Sequence, residues 1–187
     1  GGLDYGASLG DNTGVYLGVW GSNVDFNDGD EANVEMDVYG GLTYTMDAWS
    51  FDAGFIYYAY PGADDSLDYD FVELQGKIGY AFPKVAAVAS INYSPDYFAS
   101  SGDAYYYKLA LSAPLPHDFA IDGYIAYQDI DDEDAFGVPD YAEWGVGLAY
   151  SFEGLTLKAT YIDTDLDNDE CADGCDEKVI GSLSRKF

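Results

Sequence analysis

The chain has 187 residues, enough for a single domain with a full interior. Its 35 acids against 7 Lys and Arg give a net charge of −28, which excludes a nucleic-acid partner because nothing could neutralise the phosphates. Acidic disorder is also a poor description, since disordered chains are short of aromatics and this one carries 19 Tyr, 10 Phe and 3 Trp beside 22 Gly. No apolar run approaches the roughly 18 residues of a membrane-spanning helix, but barrel strands cross a bilayer by alternation and escape that test.

Eleven strands are predicted in chain order, over residues 2–9, 14–26, 32–46, 49–60, 69–82, 85–95, 104–113, 119–129, 141–152, 155–164 and 178–187. Gly10–Thr13, Asp47-Ala48, Pro83-Lys84, Pro114–Asp118 and Glu153-Gly154 read as short turns. Between them fall longer acidic links: Asn27–Glu31, Pro61–Asp68, Asp96–Asp103, Ile130–Asp140 and Asp165–Glu177. Short and long connections alternate without exception. Short turns at one end and long loops at the other are the pattern of outer-membrane barrels, whose short turns are periplasmic.

Alternation within the strands agrees. Val34, Met36, Val38, Leu42, Tyr44 and Met46 share one face, and Glu35, Asp37, Tyr39, Thr43 and Thr45 share the other. Trp144, Val146, Leu148, Tyr150 and Phe152 likewise oppose Glu143, Gly145, Gly147 and Ser151. On the apolar face, Trp49, Phe82, Phe119, Phe152 and Phe187 stand beside the short turns, while Tyr57, Tyr93, Tyr127 and Tyr161 stand toward the loops. Two aromatic girdles with an aliphatic band between them are expected of a lipid-facing surface. The opposite face carries charges of both signs at mid-strand, very costly in a dry core and cheap along a wet lumen. The expected fold is therefore an all-β, antiparallel, up-and-down transmembrane β-barrel, one domain over residues 1–187.

The last strand sharpens this expectation. Phe187, Leu183, Gly181 and Val179 lie on one side, Lys186, Ser184, Ser182 and Lys178 on the other, with Arg185 interrupting the apolar row at headgroup level. If Phe187 marks the periplasmic end, counting back makes the strand at 2–9 run the same way. Bacterial single-chain barrels have even strand numbers. The expectation is a chain lacking its export signal and first strand, and a complete barrel of twelve.

Three stretches resemble a known family: Gly14 through Phe26 with its Trp-Gly-Ser-Asn-Val-Asp-Phe run, Tyr93-Ser94-Pro95-Asp96-Tyr97-Phe98, and the loop holding Cys171 and Cys175. They look like the TorF-family porins of Gram-negative bacteria, and the likeness covers nearly the whole chain. It implies an outer-membrane barrel, with a signal peptide and a first strand upstream. It implies much less about what passes through.

Candidate site residues follow from the inward face. Glu35, Asp37, Asp52, Glu73, Lys77, Lys108, Asp122, Glu143 and Lys158 are expected to line the interior, with Lys186 near the short-turn end. Two readings stand: opposed charges that set a transverse field and select solutes, or a salt-bridge network filling a narrow lumen. Inward Tyr16, Trp20, Tyr39, Tyr58, Tyr106 and Tyr124 would narrow it further. Carboxylates cluster in the loops at Asp28/Asp30/Glu31, Asp64/Asp65/Asp68, Asp131/Asp132/Glu133/Asp134 and Asp163–Glu170. Asp131, Asp132 and Asp134 are a candidate weak Ca2+ site, against the plainer reading of a hydrated acidic rim that attracts cations diffusely. Cys171 and Cys175, with no His nearby, suit a disulfide in an oxidising compartment better than zinc. The single His117 lies in a Pro-rich turn away from the acidic loops, so no catalytic dyad or triad is expected and an enzyme is not.

The leading functional expectation is a channel for small polar solutes, cationic or neutral, with no cofactor required. The alternative is a structural or interaction barrel whose lumen is closed and whose loops bind Ca2+, lipopolysaccharide or a partner protein. Outer-membrane lipid surrounds it in either case, the long acidic loops are extracellular, and a homo-oligomer is compatible with both. The account would fail if Trp49, Phe55, Leu74, Val146 and Leu157 met in a dry centre.

Overall fold

Runs rich in Val, Ile, Tyr, Phe and Thr that alternate with small or polar residues have strand chemistry, and each becomes a strand. A computed structural model of the protein describes residues 1–25, 32–167, 170–171 and 175–186. The strands are β1 (Gly2–Ser8), β2 (Thr13–Asn23), β3 (Val34–Met46), β4 (Trp49–Ala59), β5 (Phe71–Ala81) and β6 (Ala86–Ser94). They continue as β7 (Ala104–Pro114), β8 (Phe119–Ile130), β9 (Tyr141–Phe152), β10 (Leu155–Thr164) and β11 (Lys178–Arg185). All eleven belong to one sheet in strict sequence order, β1 to β11, and every neighbouring pair is antiparallel. The fold is all-β and up-and-down, as expected. β1 and β11 are the outer strands of this order.

The expected strand ends coincide with the observed ones or differ by at most three residues, chiefly at the loop end. Val24, Tyr60 and Tyr69 continue the apolar-polar alternation, yet leave the ladder to pack in a cluster between the loops. The long connections also hold three short helical turns, Asp65–Leu67, Phe98–Ser100 and Glu133–Phe136, which no periodicity announced. At the other end the turns are tight. Glu153 and Gly154 both have positive φ (48° and 80°), the requirement of the two-residue hairpin turn whose twist matches its strands.

The apolar residues named as the decisive test do not meet. Trp49 is 41% exposed, Phe55 43%, Leu74 57%, Val146 54% and Leu157 53%. They form a band on the outer face of the sheet, where each large side chain left in water would forgo about 1.5–3 kcal/mol of burial. Among the described residues the apolar core is a small cluster at the loop end, built on Ala32, Tyr60 and Phe71. The polar face turns inward. Tyr97, in the connection from β6 to β7, lies within electrostatic reach of Glu35 on β3, Glu73 on β5 and Glu143 on β9, which a flat sheet could not arrange.

Candidate functional site

Register fixes which inward residues become neighbours. Trp20, Asp37, Tyr58 and Phe71 sit opposite one another across β2, β3, β4 and β5. Two residues nearer the short turns, a row runs Gly18, Tyr39, Ile56 and Glu73, and the next runs Tyr16, Gly41, Gly54 and Gln75. Glycines in these rows are receiving surfaces for tyrosines. The Tyr39 ring crosses Gly18 so that its hydroxyl donates to Asp4 on β1. Tyr16 crosses Gly41, where an added Cβ would stand 2.6 Å from the hydroxyl, and donates to Asp52 at 2.9 Å.

Other inward carboxylates are held in the same manner. The Tyr60 hydroxyl donates to Glu35 at 2.7 Å. Asn92 donates to Glu73 at 2.7 Å and the Tyr58 hydroxyl at 3.4 Å, leaving Glu73 only 7% exposed. The Tyr106 hydroxyl donates to Glu143. Asp37 differs: its Oδ1 is hidden from solvent and has no hydrogen-bond partner among the described residues. Bases enter further round the sheet. Lys158 crosses Gly147 to pair with Asp122 at 2.8 Å. The Lys108 ammonium stands 3.7 Å from the centroid of the Tyr124 ring. Lys77 lies opposite Asp52 in the register. All nine residues expected to line the interior are on the inward-facing parity of their strands.

Sequence reasoning missed a constriction at the loop end. Phe71 stacks on Tyr58 at 4.4 Å between centroids, and Tyr97 meets Phe71 edge-on at 4.6 Å. Phe98 stacks on Tyr69 at 4.3 Å, and Phe136 from the connection between β8 and β9 contacts both Tyr97 and Phe98. Three loops thus converge over one rim of the mouth. Burial, with Tyr141, Glu73, Glu35 and Glu143 nearby, pushes the Tyr97 phenol well above its ordinary value. The available signal was an aromatic pair, Tyr97-Phe98, and a lone Phe136 inside otherwise acidic links.

Loop carboxylates have local work. Asp70 accepts the Tyr57 hydroxyl at 2.8 Å and the Tyr60 amide at 2.7 Å. Asp140 accepts the Tyr127 hydroxyl at 3.3 Å and the Ile130 amide at 2.7 Å, at identical spacings. Tyr93 donates to Asp103 and Tyr161 to Asp163, so every tyrosine of the expected loop-side girdle ends on a carboxylate. Ser66 donates through its hydroxyl and its amide to Asp64, holding that carboxyl below its usual range. Asp132, a candidate Ca2+ ligand with Asp131 and Asp134, accepts from the Ala135 amide as a helix cap. Among the described residues no three His, Cys, Asp or Glu converge to hold a metal ion. Asp28, Asp30, Glu31, Asp169 and Phe187 lie outside the described residues. Cys171 and Cys175 are joined as a disulfide, their Cα atoms 6.1 Å apart. His117 occupies a left-handed turn position (φ 61°) between β7 and β8, at the end opposite the acidic loops.

The family model described as "Bacterial protein of unknown function (Gcw_chp)" matches residues 1–187. No curated protein matches the chain. Among solved structures, a porin refined at 1.8 Å superposes with a TM-score of 0.54 at 20% identity, covering 98% of this chain and 60% of that one. The outer membrane channel DcaP of Acinetobacter baumannii gives 0.48 at 11% identity, over 87% of this chain and 55% of that one. The chain thus spans less than two thirds of the length of either structure. At these identities the likeness to the porin concerns the fold, an antiparallel up-and-down sheet of the porin type.

Proposed function

We propose that this chain, which belongs to the Gcw_chp family of bacterial proteins of unknown function, acts as an outer-membrane channel for the passive diffusion of small polar solutes, cationic or neutral. The observation that carries the reading is the inversion of the two faces. Large apolar side chains stand exposed on the outer face, while charged groups on the inner face hold one another through tyrosine hydroxyls, an amide and an ion pair. A water-soluble sheet would bury the first set and expose the second. A membrane barrel requires the reverse. The porin-type fold supports this reading, and the resemblance to TorF-family porins agrees with it. The short turns are then periplasmic and the acidic, disulfide-bearing loops extracellular. With His117 isolated at the periplasmic end, the chemistry is selection rather than catalysis.

A second reading has its own support. The Tyr97–Phe98–Phe136 cluster narrows the mouth and favours a closed barrel whose loops engage Ca2+, lipopolysaccharide or a protein partner, with or without a homo-oligomer. Planar-bilayer recording of the purified protein separates the two. Stepwise, cation-selective openings are expected; silent bilayers with correctly inserted protein would leave the second reading standing.

A further inference from the structure

Residues 1–76 contain no Lys, Arg or His, and Lys77 is the first basic side chain of the chain. The inner wall built by β1 to β4 therefore carries Asp4, Glu35, Asp37 and Asp52 with no side-chain cation of its own. Asp4, Glu35 and Asp52 are each held by a tyrosine hydroxyl. Asp37 is not, and one of its oxygens is buried without a partner. A hidden acceptor of this kind calls for a compensating group.

That carboxylate borders a cavity of about 440 Å³ whose wall includes Tyr16, Trp20, Tyr39, Ile56 and Tyr58. Trp20 and Tyr58 flank Asp37 directly in the register, on β2 and β4. The hydroxyls of Tyr16, Tyr39 and Tyr58 are committed to Asp52, Asp4 and Glu73, which anchors the rings where they are. Trp20 remains 46% exposed. Lys77 touches the far end of the cavity, but it stands six residues along β5 from Phe71, the residue level with Asp37. At the rise of a strand that is about 20 Å, too far for its ammonium to neutralise Asp37.

We propose that Trp20, Asp37 and Tyr58 form a binding subsite inside the lumen for an organic ammonium ion. The proposal rests on the channel reading for how a solute reaches it. One under-compensated carboxylate between aromatic side chains matches a cation with an apolar skin, which gains from ring quadrupoles and from the charge together. A hard metal ion needs several oxygen ligands, and no such group converges among the described residues.

The test uses the purified full chain in detergent micelles and the probe benzyltrimethylammonium, with binding followed by tryptophan fluorescence and calorimetry. Saturable binding is expected, weakened about tenfold by Asp37→Asn and severalfold by Trp20→Leu. The loop variant Asp64→Asn, which removes the same charge outside the barrel, should bind as the parent does. No saturable binding by the parent, or parent-like affinity in Asp37→Asn with its strand content retained, overturns the proposal. Equal losses in Asp37→Asn and Asp64→Asn would also overturn it, because they would mean diffuse attraction by net charge. Binding is read without flux: silent bilayers with binding intact sink the channel alone, and conductance without binding sinks the subsite alone.

Discussion

Two parts of the inner wall solve the same electrostatic problem differently. On β1 to β4 the carboxylates of Asp4, Glu35 and Asp52 are satisfied by tyrosine hydroxyls, so their hydrogen bonds are met while their charge remains. On β8 to β10 Asp122 is met by Lys158, and on β7 Lys108 rests on Tyr124, so charge itself is balanced or shielded. The first wall keeps a net negative potential, and the second does not. On the proposed channel reading, a solute between them experiences a field across the lumen, and cations travel along the tyrosine side.

The sharpest way to break this comparison is through its glycines. At Gly41 an added Cβ meets both the Tyr16 hydroxyl and the Ala53 carbonyl, the latter backbone that cannot give way. At Gly147 it meets the flexible end of Lys158 and the Asp122 carboxylate. Gly41→Val should therefore lower unfolding stability by about 1–3 kcal/mol, and Gly147→Val by less, read from urea midpoints in detergent. Equal losses would mean that the two walls are not built differently. Next in size comes selectivity. Glu73→Lys brings an ammonium to β5, beside the anionic wall, and the cation-to-anion permeability ratio should fall about fivefold, the effect of roughly 1 kcal/mol on ion entry. An unchanged reversal potential would remove Glu73 from the ion path.

The smallest effect concerns pH. The Tyr97 phenol is pushed up by burial, so its share of stability is whole below the ordinary phenol value of about 10 and is lost as pH rises through the elevated one. Tyrosinate absorbance should show Tyr97 silent until the loops open at strongly alkaline pH. If Tyr97→Phe removes a transition near the ordinary value, the constriction is not packed as described.

Much of this was legible in the sequence because strand alternation has a short, strict period. Parity put Trp49, Phe55, Leu74, Val146 and Leu157 on one face and Asp37 and Glu73 on the other, and the aromatic girdles and mid-strand charges said which face was outer. What parity cannot say is which acid meets which phenol. Tyr16 reaches Asp52 by leaning across Gly41 and Gly54, a contact between residues 36 positions apart that exists only once register and lean are set. The constriction was illegible for another reason. Tyr97, Phe98 and Phe136 lie in connections without periodicity, where an aromatic side chain gives no direction. The pairing of Asp70 and Asp140 with tyrosines 13 residues earlier was visible as spacing, but Asp70 read as part of a strand and Asp140 as loop acidity.

Those two aspartates do more than tie off a rim. Each closes its connection with one bond to a phenol on the preceding strand and one to an amide at that strand's end, Ile130 as the last residue of β8 and Tyr60 one residue past β4, so the following strand starts at a fixed height whatever lies between. The stretches 61–69 and 131–139 are thereby uncoupled from the alignment of the wall beneath them. Tips on such a base can be exchanged as cassettes while the strands below keep their register.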